Sequence, residues 1–316
     1  MINKIKIAIV GLGHIGKIHT DAILLNASYK LVAICDKNSA FQSIMVKGAV
    51  FYESHLKMLE KGGFDVVVVA TPNNTHATIA KDILNYGYNL ILEKPAANSI
   101  EELKELESLA THKNKHIYYA FHAAYASEVL WFCEYYKKKK ESLGDIKAFY
   151  SYFYDPYFTQ DRVIDYALGL EYPWKDSGVN ALSVLICFMN LNHLTLSSTR
   201  ASRCKAQETS HLRKYELQNG YFGIVNTAWN QDRNFKCTEL YFECGVKIEI
   251  NHTEQKVVMV DSTDGNKELK SFDGERLLNH YKNIFADYIT QRKNNTFNFD
   301  ISLAIHQKLY EEKGKT

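Results

Sequence analysis

Residues 5–20 read IKIAIVGLGHIGKIHT, and the fold of the N-terminal half turns on them. Ile5–Val10 is a short apolar run with the look of a buried strand. Gly11-Leu12-Gly13-His14-Ile15-Gly16 follows at once and opens a helix pattern that runs to about Leu25. The spacing G-x-G-x-x-G is weak evidence alone. Set between strand and helix, and followed about twenty residues later by Asp36 at the end of the next apolar run, it is a dinucleotide-binding fingerprint. Gly11 permits a tight turn, Gly13 lets backbone approach a pyrophosphate, and Gly16 allows close helix–strand packing. His14 and Ile15 begin the helix, whose free N–H groups and partial positive charge suit phosphates. Asp36 is suited to accept hydrogen bonds from the adenosine ribose and to repel a 2′-phosphate, which favours NAD. Lys37 beside it could pair with that phosphate, so NADP stays open.

Outward from this turn, strand and helix signals alternate. Leu31–Cys35 and the unbroken apolar run Val66–Ala70 read as parallel strands, the latter buried on both faces. Thr75–Tyr86 is an amphipathic helix stopped by Gly87, Leu90–Leu92 is strand, and Ser99 with Glu102 forms a capping box before a helix to about Ala110. Ile117–Phe121 closes the series. Such alternation predicts an α/β chain whose first domain, 1–121, is a doubly wound parallel sheet of Rossmann type. Beyond His122 the pattern changes to a helix from Ser127, a strand at Ile146–Tyr154, a helix from about Asp176 to Met189, and then six successive strand patterns between Leu194 and Val260. Turn signals such as Gln218-Asn219-Gly220 separate them, and two helices end the chain. The second domain, 122–316, is therefore expected to be α+β with a mainly antiparallel open sheet.

A chain of 316 residues exceeds what one core usually holds, which agrees with two domains. The net charge of +2 gives no electrostatic case for nucleic acid or an acidic membrane as partner. The least polar long stretch, Gly178–Ser198, is interrupted by Asn180, Asn190, Asn192 and His193 and is too polar to span a membrane. The N-terminus lacks the pattern of a secretory signal. The six cysteines show neither C-x-x-C nor metal-ligand spacing, so no metal site is expected and they read as reduced thiols of a cytoplasmic protein.

Two places carry chemistry. Glu93-Lys94-Pro95 ends a strand at the sheet edge where ligands bind, and a lysine there can hydrogen-bond a substrate hydroxyl and lower its pKa. Pro95 would fix the turn, in cis form if it aims the lysine. A surface lysine before a helix-breaking proline is the plain alternative. Asp176-Ser177-Gly178-Val179-Asn180 sets Asp176 and Asn180 four residues apart on one helical face, with Gly178 leaving room for a ligand. A helix cap at Asp176 and a polar core residue at Asn180 are the alternatives.

The chain resembles the Gfo/Idh/MocA oxidoreductases in four stretches in order: GLGHIGKIHT, ATPNNTH at 70–76, LEKP at 92–95 and WKDSGVNALSVL at 174–185. The resemblance implies a catalytic role for Lys94 and a cis Pro95, and places Thr71, Pro72, Asn74, His76 and Glu93 beside the cofactor. For His76 a satisfied loop histidine is an equal alternative. Many relatives carry a histidine base where this chain has Asn180, which has no usable pKa. DSGVNALS and Phe121-His122-Ala123-Ala124-Tyr125-Ala126 are similar instead to the aldose 1-dehydrogenase branch, although the arginine usual before that tyrosine is Ala124 here. The implied reaction is oxidation of an aldose at C1 to a lactone. Lys94 and Asp176 would share removal of the hydroxyl proton, converging on the nicotinamide from separate domains, and Asn180 would orient a sugar hydroxyl. His122, Asp155 and Trp229 are further candidate sugar contacts, each against an ordinary structural role. An inositol or other polyol dehydrogenase, an imine or dihydrodiol reductase, and a non-catalytic sugar and nucleotide sensor are the rival readings. The family's open sheet implies a homodimer or homotetramer, and Tyr150, Tyr152 and Tyr154 alternate on one strand as an interface would.

Overall fold

In a computed structural model, residues 4–43, 46, 48–261, 265–291 and 298–312 are described. The chain divides into two compact units, one of 1–121 with 277–303 and one of 122–276 with 304–316.

The first unit is built on a parallel sheet of β1 (Ile5–Val10), β2 (Tyr29–Cys35), β3 (Val50–Tyr52), β4 (Val66–Val69), β5 (Asn89–Glu93) and β6 (Ile117–Ala120). Their order is β3-β2-β1-β4-β5-β6, every neighbouring pair parallel. The four valines of β4 have no exposure at all, as a strand covered on both faces requires. Helices α1 (His14–Leu24), α2 (His55–Lys61), α3 (His76–Asn85) and α4 (Ile100–His112) make the crossovers. The Ser99 hydroxyl accepts from the Glu102 N–H, and the Glu102 carboxylate accepts from the Asn98 N–H one residue before the cap. Strand order reverses between β1 and β4, and the crevice at their carboxyl ends is where such sheets bind ligands. The turn after β1, Asp36 after β2, Thr71 after β4 and Lys94 after β5 all sit at those ends. The short, half-exposed β3 had no sequence signal.

The expected division into 1–121 and 122–316 needs one correction, because α7 (Arg276–Gln291) belongs mainly to the first unit. Tyr281, Ile284 and Phe285 are fully buried there. The Tyr29 hydroxyl donates to the Phe285 carbonyl at 2.6 Å, and Tyr118 donates to the Asp287 carboxylate at 2.7 Å. The Phe285 ring packs edge-on against His19 and Tyr29.

The second unit begins with α5 (Ser127–Leu143) and β7 (Ile146–Tyr154), followed by a small hairpin of β8 (Phe158–Thr159) and β9 (Arg162–Val163). Residues Trp174–Gly178 form one π-helical turn leading into α6 (Val179–Leu185). Next come β10 (Thr195–Cys204), β11 (Gln207–Glu216), β12 (Phe222–Ala228), β13 (Phe235–Phe242), β14 (Lys247–Asn251), β15 (Lys256–Asp261) and β16 (Gly265–Ser271). With β7 they make an eight-stranded sheet ordered β10-β11-β12-β7-β13-β14-β15-β16, antiparallel except for the β12–β7 pair. The last helix, α8 (Phe299–Tyr310), crosses the division between the units. Phe149, Ser151 and Phe153 of β7 face inward, while Tyr150, Tyr152 and Tyr154 alternate with them and are half-buried. On the tyrosine side Tyr150 meets Tyr152 and Tyr241, and Tyr154 meets Phe235. Trp174 anchors the π turn. Its indole N–H donates to the Leu309 carbonyl at 2.8 Å, and the Arg213 guanidinium lies 4.2 Å over its ring.

If 277–303 completes the first unit's core, Phe285→Ala should cost about 3–5 kcal/mol as a fully buried aromatic truncation does. Urea unfolding followed by far-UV circular dichroism checks it; a loss below 1 kcal/mol would return that helix to a peripheral role.

Candidate active site

The turn after β1 is shaped by contact with the next strand. Gly11 has φ +95°, and a Cβ there would lie 2.4 Å from the Ala70 carbonyl oxygen. On Gly16 a Cβ would collide with the Gly11 carbonyl at 1.9 Å, so the helix is pressed onto the turn itself. Gly13 faces open space and caps α1 without a side-chain hydrogen bond. Asp36 is tied to this turn: one carboxylate oxygen accepts the Leu12 N–H at 2.7 Å and the other the Asn38 N–H at 2.9 Å. A carboxylate has about four acceptor positions, so Asp36 retains capacity for ribose hydroxyls. His14 and Lys37 are exposed and Ile15 is half-buried.

The loop after β4 and the turn after β5 are joined by one side chain. His76 is fully buried, with Nε2 at 2.8 Å from the Thr71 carbonyl and Nδ1 at 2.9 Å from the Pro95 carbonyl. Burial is the largest influence on its pKa and pushes it below the usual histidine value, against the pull of the two carbonyls. This corrects the expected cofactor contact, because both ring nitrogens serve backbone and none of the residue is exposed. Thr75 bridges the Thr71 hydroxyl and the Pro72 carbonyl, and Pro72 and Asn74 are exposed. Asn73, which sequence reasoning passed over, is buried, and its Nδ2 has no hydrogen-bond partner. An orphaned amide at the carboxyl edge of β4, the open space over Gly13 and the Asp36 carboxylate fit a dinucleotide.

Glu93 departs from expectation in a similar way. Its carboxylate is buried and turned into the unit, where Oε1 accepts from His19 Nε2 at 2.8 Å and from the Tyr281 hydroxyl at 2.7 Å. Oε2 accepts the Lys94 N–H at 3.2 Å. Burial alone would push Glu93 up, but the bonds from His19 and Tyr281, with the charge of Lys94, outweigh it and hold the group below the ordinary glutamate range. Glu93 therefore fixes the backbone that carries half-buried Lys94 and does not touch a cofactor. The Lys94–Pro95 peptide is cis.

In the second unit Asp155, Asp176 and Asn180 come together. The Ser177 hydroxyl lies 3.2 Å from Asp155 Oδ2 and 3.3 Å from Asp176 Oδ2. Asn180 Nδ2 donates to the Asp176 carbonyl at 3.3 Å, and its Oδ1 is buried without a hydrogen-bond partner. Asp155 Oδ1 takes Lys236 Nζ at 2.5 Å and Asn234 Nδ2 at 2.7 Å. With three internal donors, Asp155 is a support for this cluster and not the sugar contact expected. Gly178 is likewise corrected: a Cβ there would sit 2.7 Å from the Trp174 ring, so the missing side chain makes room for tryptophan and not for a ligand. Trp229 has no exposure and packs with Val163, Ala167 and the edge of Tyr157, which leaves no face for a sugar. His122 lies buried on the 3-10 turn 122–125, against which α6 packs. Among the described residues no group of three or more His, Cys, Asp or Glu is disposed to hold a metal, and no helix is long and apolar enough to cross a membrane.

A family model described as the oxidoreductase family, NAD-binding Rossmann fold (GFO_IDH_MocA), matches residues 5–121. Over those residues the chain is similar to the Rossmann domain of the Gfo/Idh/MocA oxidoreductases. Sequence similarity to curated proteins is concentrated in about two fifths of the chain. The rhizopine catabolism protein MocA of Rhizobium meliloti is 27% identical over 127 residues, 40% of this chain and 40% of that protein. The D-glucoside 3-dehydrogenase of Escherichia coli is 30% identical over 128 residues, 39% of this chain and 36% of that protein. An inositol dehydrogenase homolog from Azotobacter vinelandii, solved with NADH and myo-inositol, superposes with a TM-score of 0.81 at 17% identity, covering 97% of this chain and 94% of that one. The structural likeness covers both units and is a likeness of fold.

The depressed pKa of Glu93 has a defined linkage. A carboxylate stabilised when ionised contributes above the ordinary glutamate pKa, and that contribution fades as pH falls through its lower folded value. Glu93→Gln should therefore cost about 1–3 kcal/mol near neutral pH, the range for disturbing a buried charged hydrogen bond. The gap to the parent protein should close below about pH 4. Urea midpoints across pH 3 to 8 measure it, and a gap independent of pH would refute the ionised-carboxylate account.

Proposed function

We propose that the chain is an NAD-dependent oxidoreductase acting on a carbinol carbon of a sugar or cyclic polyol. The observation that carries this is the Glu93-Lys94-Pro95 turn, anchored by a buried carboxylate at the ligand edge of an NAD-binding oxidoreductase domain. NAD, when bound, supplies the hydride acceptor or donor. The turn Gly11–Gly16 would hold its pyrophosphate, Asp36 its ribose, and the spare amide of Asn73 a polar group of the cofactor. A negative Asp36 tied to the phosphate turn favours NAD over a 2′-phosphorylated dinucleotide.

Lys94 bonds the substrate hydroxyl and lowers its pKa, and Asp176 takes the proton as base. Asn180 turns its spare Oδ1 to a neighbouring hydroxyl, and His122 is a second hydroxyl contact. The finer reading is oxidation of an aldose at C1 to a lactone, supported by the DSGVNALS stretch and by Asn180 where a histidine base would stand. Oxidation of a cyclic polyol is the second reading, supported by the full-length likeness to an inositol dehydrogenase homolog. Initial rates of NADH formation over a panel of aldoses, glycosides and inositols separate the two, and no turnover with any member would favour a non-catalytic sugar and nucleotide sensor.

Lys94→Ala should lower kcat/KM by roughly 10²–10⁴-fold, the usual worth of a positioned proton-transfer group. NAD affinity, read by calorimetry, should stay within about threefold. Near-normal turnover would reject the scheme. We also propose that the tyrosine row Tyr150, Tyr152 and Tyr154 pairs with a second copy of the chain. Tyr152→Asp should then shift the sedimentation-equilibrium mass toward the monomer, whereas a parent chain already monomeric would end this assignment.

A further inference from the structure

Six cysteines are spread over the chain, and none of the roles above uses them. Two come together in the second unit. Cys133 lies on α5, and Cys187 lies two residues beyond the end of α6. The Cys133 thiol reaches the Cys187 carbonyl, sulfur to oxygen 3.9 Å, across a sequence separation of 54 residues. The two sulfurs are also within hydrogen-bond reach of each other. Their neighbours meet as well, since the Phe132 and Phe188 rings pack edge to face with centroids 5.5 Å apart. Both cysteines are partly exposed. The other four differ. Cys35 and Cys237 are buried, and burial pushes both thiols up to about 12, where almost no thiolate exists at neutral pH. Cys204 donates to the Asp161 carboxylate at 3.8 Å, and Cys244 is exposed.

We propose that Cys133 and Cys187 are a reversible redox site, in which Cys133 attacks a peroxide and Cys187 closes a disulfide. The contact between them sets the order of attack. A hydrogen bond from Cys187 is the largest influence on Cys133 and holds it below the usual cysteine range against burial; Lys137, one turn on along α5, acts the same way, and Glu134 opposes it. The same bond, together with burial, drives Cys187 well above that range. The thiolate is the nucleophile, so the first attack falls to Cys133. Its sulfur bonds to one oxygen of hydrogen peroxide, the O–O bond breaks, and the other oxygen leaves as water after taking up the proton that Cys133 gave up. The Cys187 sulfur then attacks the sulfenic acid. The S–S bond forms, the S–O bond breaks, and the Cys187 proton leaves with the hydroxide as a second water. The two thiols lose two electrons and the peroxide gains them. The sulfurs of a disulfide lie about 2 Å apart, so the bridge asks for a small approach of two side chains already in contact. It would join α5 to the segment that follows α6, the helix carrying Asn180. It would also take the Cys187 hydrogen from the Ser183 carbonyl, to which the thiol donates over 3.3 Å.

The test treats the full chain, with NAD present, with a small excess of hydrogen peroxide near neutral pH. Remaining thiols are blocked with iodoacetamide, and peptides are mapped by mass spectrometry without reductant. The expected product is one peptide pair joined through Cys133 and Cys187 and released by dithiothreitol. It should form at least about tenfold faster than Cys204 or Cys244 is consumed. Cys187→Ser should leave Cys133 as the sulfenic acid, which dimedone captures. Cys133→Ser should slow oxidation of Cys187 at least about tenfold. If either variant fails to fold, the parent chain carries the test alone. Intact Cys133 and Cys187 after Cys244 has been consumed overturns the proposal. So does Cys133 driven to the sulfinic acid in the parent chain with no link to Cys187. An unslowed Cys187 in Cys133→Ser overturns the order of attack.

Discussion

A buried carboxylate governs the first unit. Glu93 lies at the end of β5 with almost no exposure, and removing its charge from water is costly unless donors replace the lost hydration. Three do so: the His19 ring from α1, the Tyr281 hydroxyl from α7 and the N–H of Lys94. These donors lie far apart in the chain, so satisfying one carboxylate obliges the phosphate-turn helix, the lysine turn and the C-terminal helix to meet. The His19 and Tyr281 rings also pack against each other, tilted by 56° with centroids 4.3 Å apart, which limits their freedom to leave. The position of the Lys94 backbone is thus a consequence of charge burial. The buried His76 ring lies between the Thr71 and Pro95 carbonyls and, being neutral, donates to one of them at a time, so the two loops at the ligand edge pack against a shared side chain.

The second unit repeats the device with a different outcome. Asp155, also buried at a strand end, collects Lys236, Asn234 and Ser177. Where the Glu93 network is anchored on one carboxylate, this one runs on through the Ser177 hydroxyl, which lies within reach of both Asp155 and Asp176. Asn180 beside it donates from Nδ2 to the Asp176 carbonyl, while its buried Oδ1 has no hydrogen-bond partner.

Much of this was legible in the sequence, for reasons particular residues make plain. The four consecutive valines of β4 and the glycine spacing after β1 are demanded by burial on both faces and by backbone crowding against Ala70, and such demands leave few residue choices. The open alternation of Phe149, Ser151 and Phe153 with Tyr150, Tyr152 and Tyr154 announced a sheet with two unlike faces. What stayed hidden depended on distant partners. Nothing near Glu93 says that its carboxylate points inward to Tyr281, 188 residues away. For the same reason α7 was read as part of the second domain, where chain order placed it. Gly178 looked like room for a ligand because the Trp174 ring that fills the space is four residues back on an irregular turn. Trp229 could equally have been a platform or a core residue, and contacts decided it. Lys236 did leave a trace: a lysine in phase with Thr238, Leu240 and Phe242 puts a charge on a buried face, which a strand tolerates only when a partner waits there.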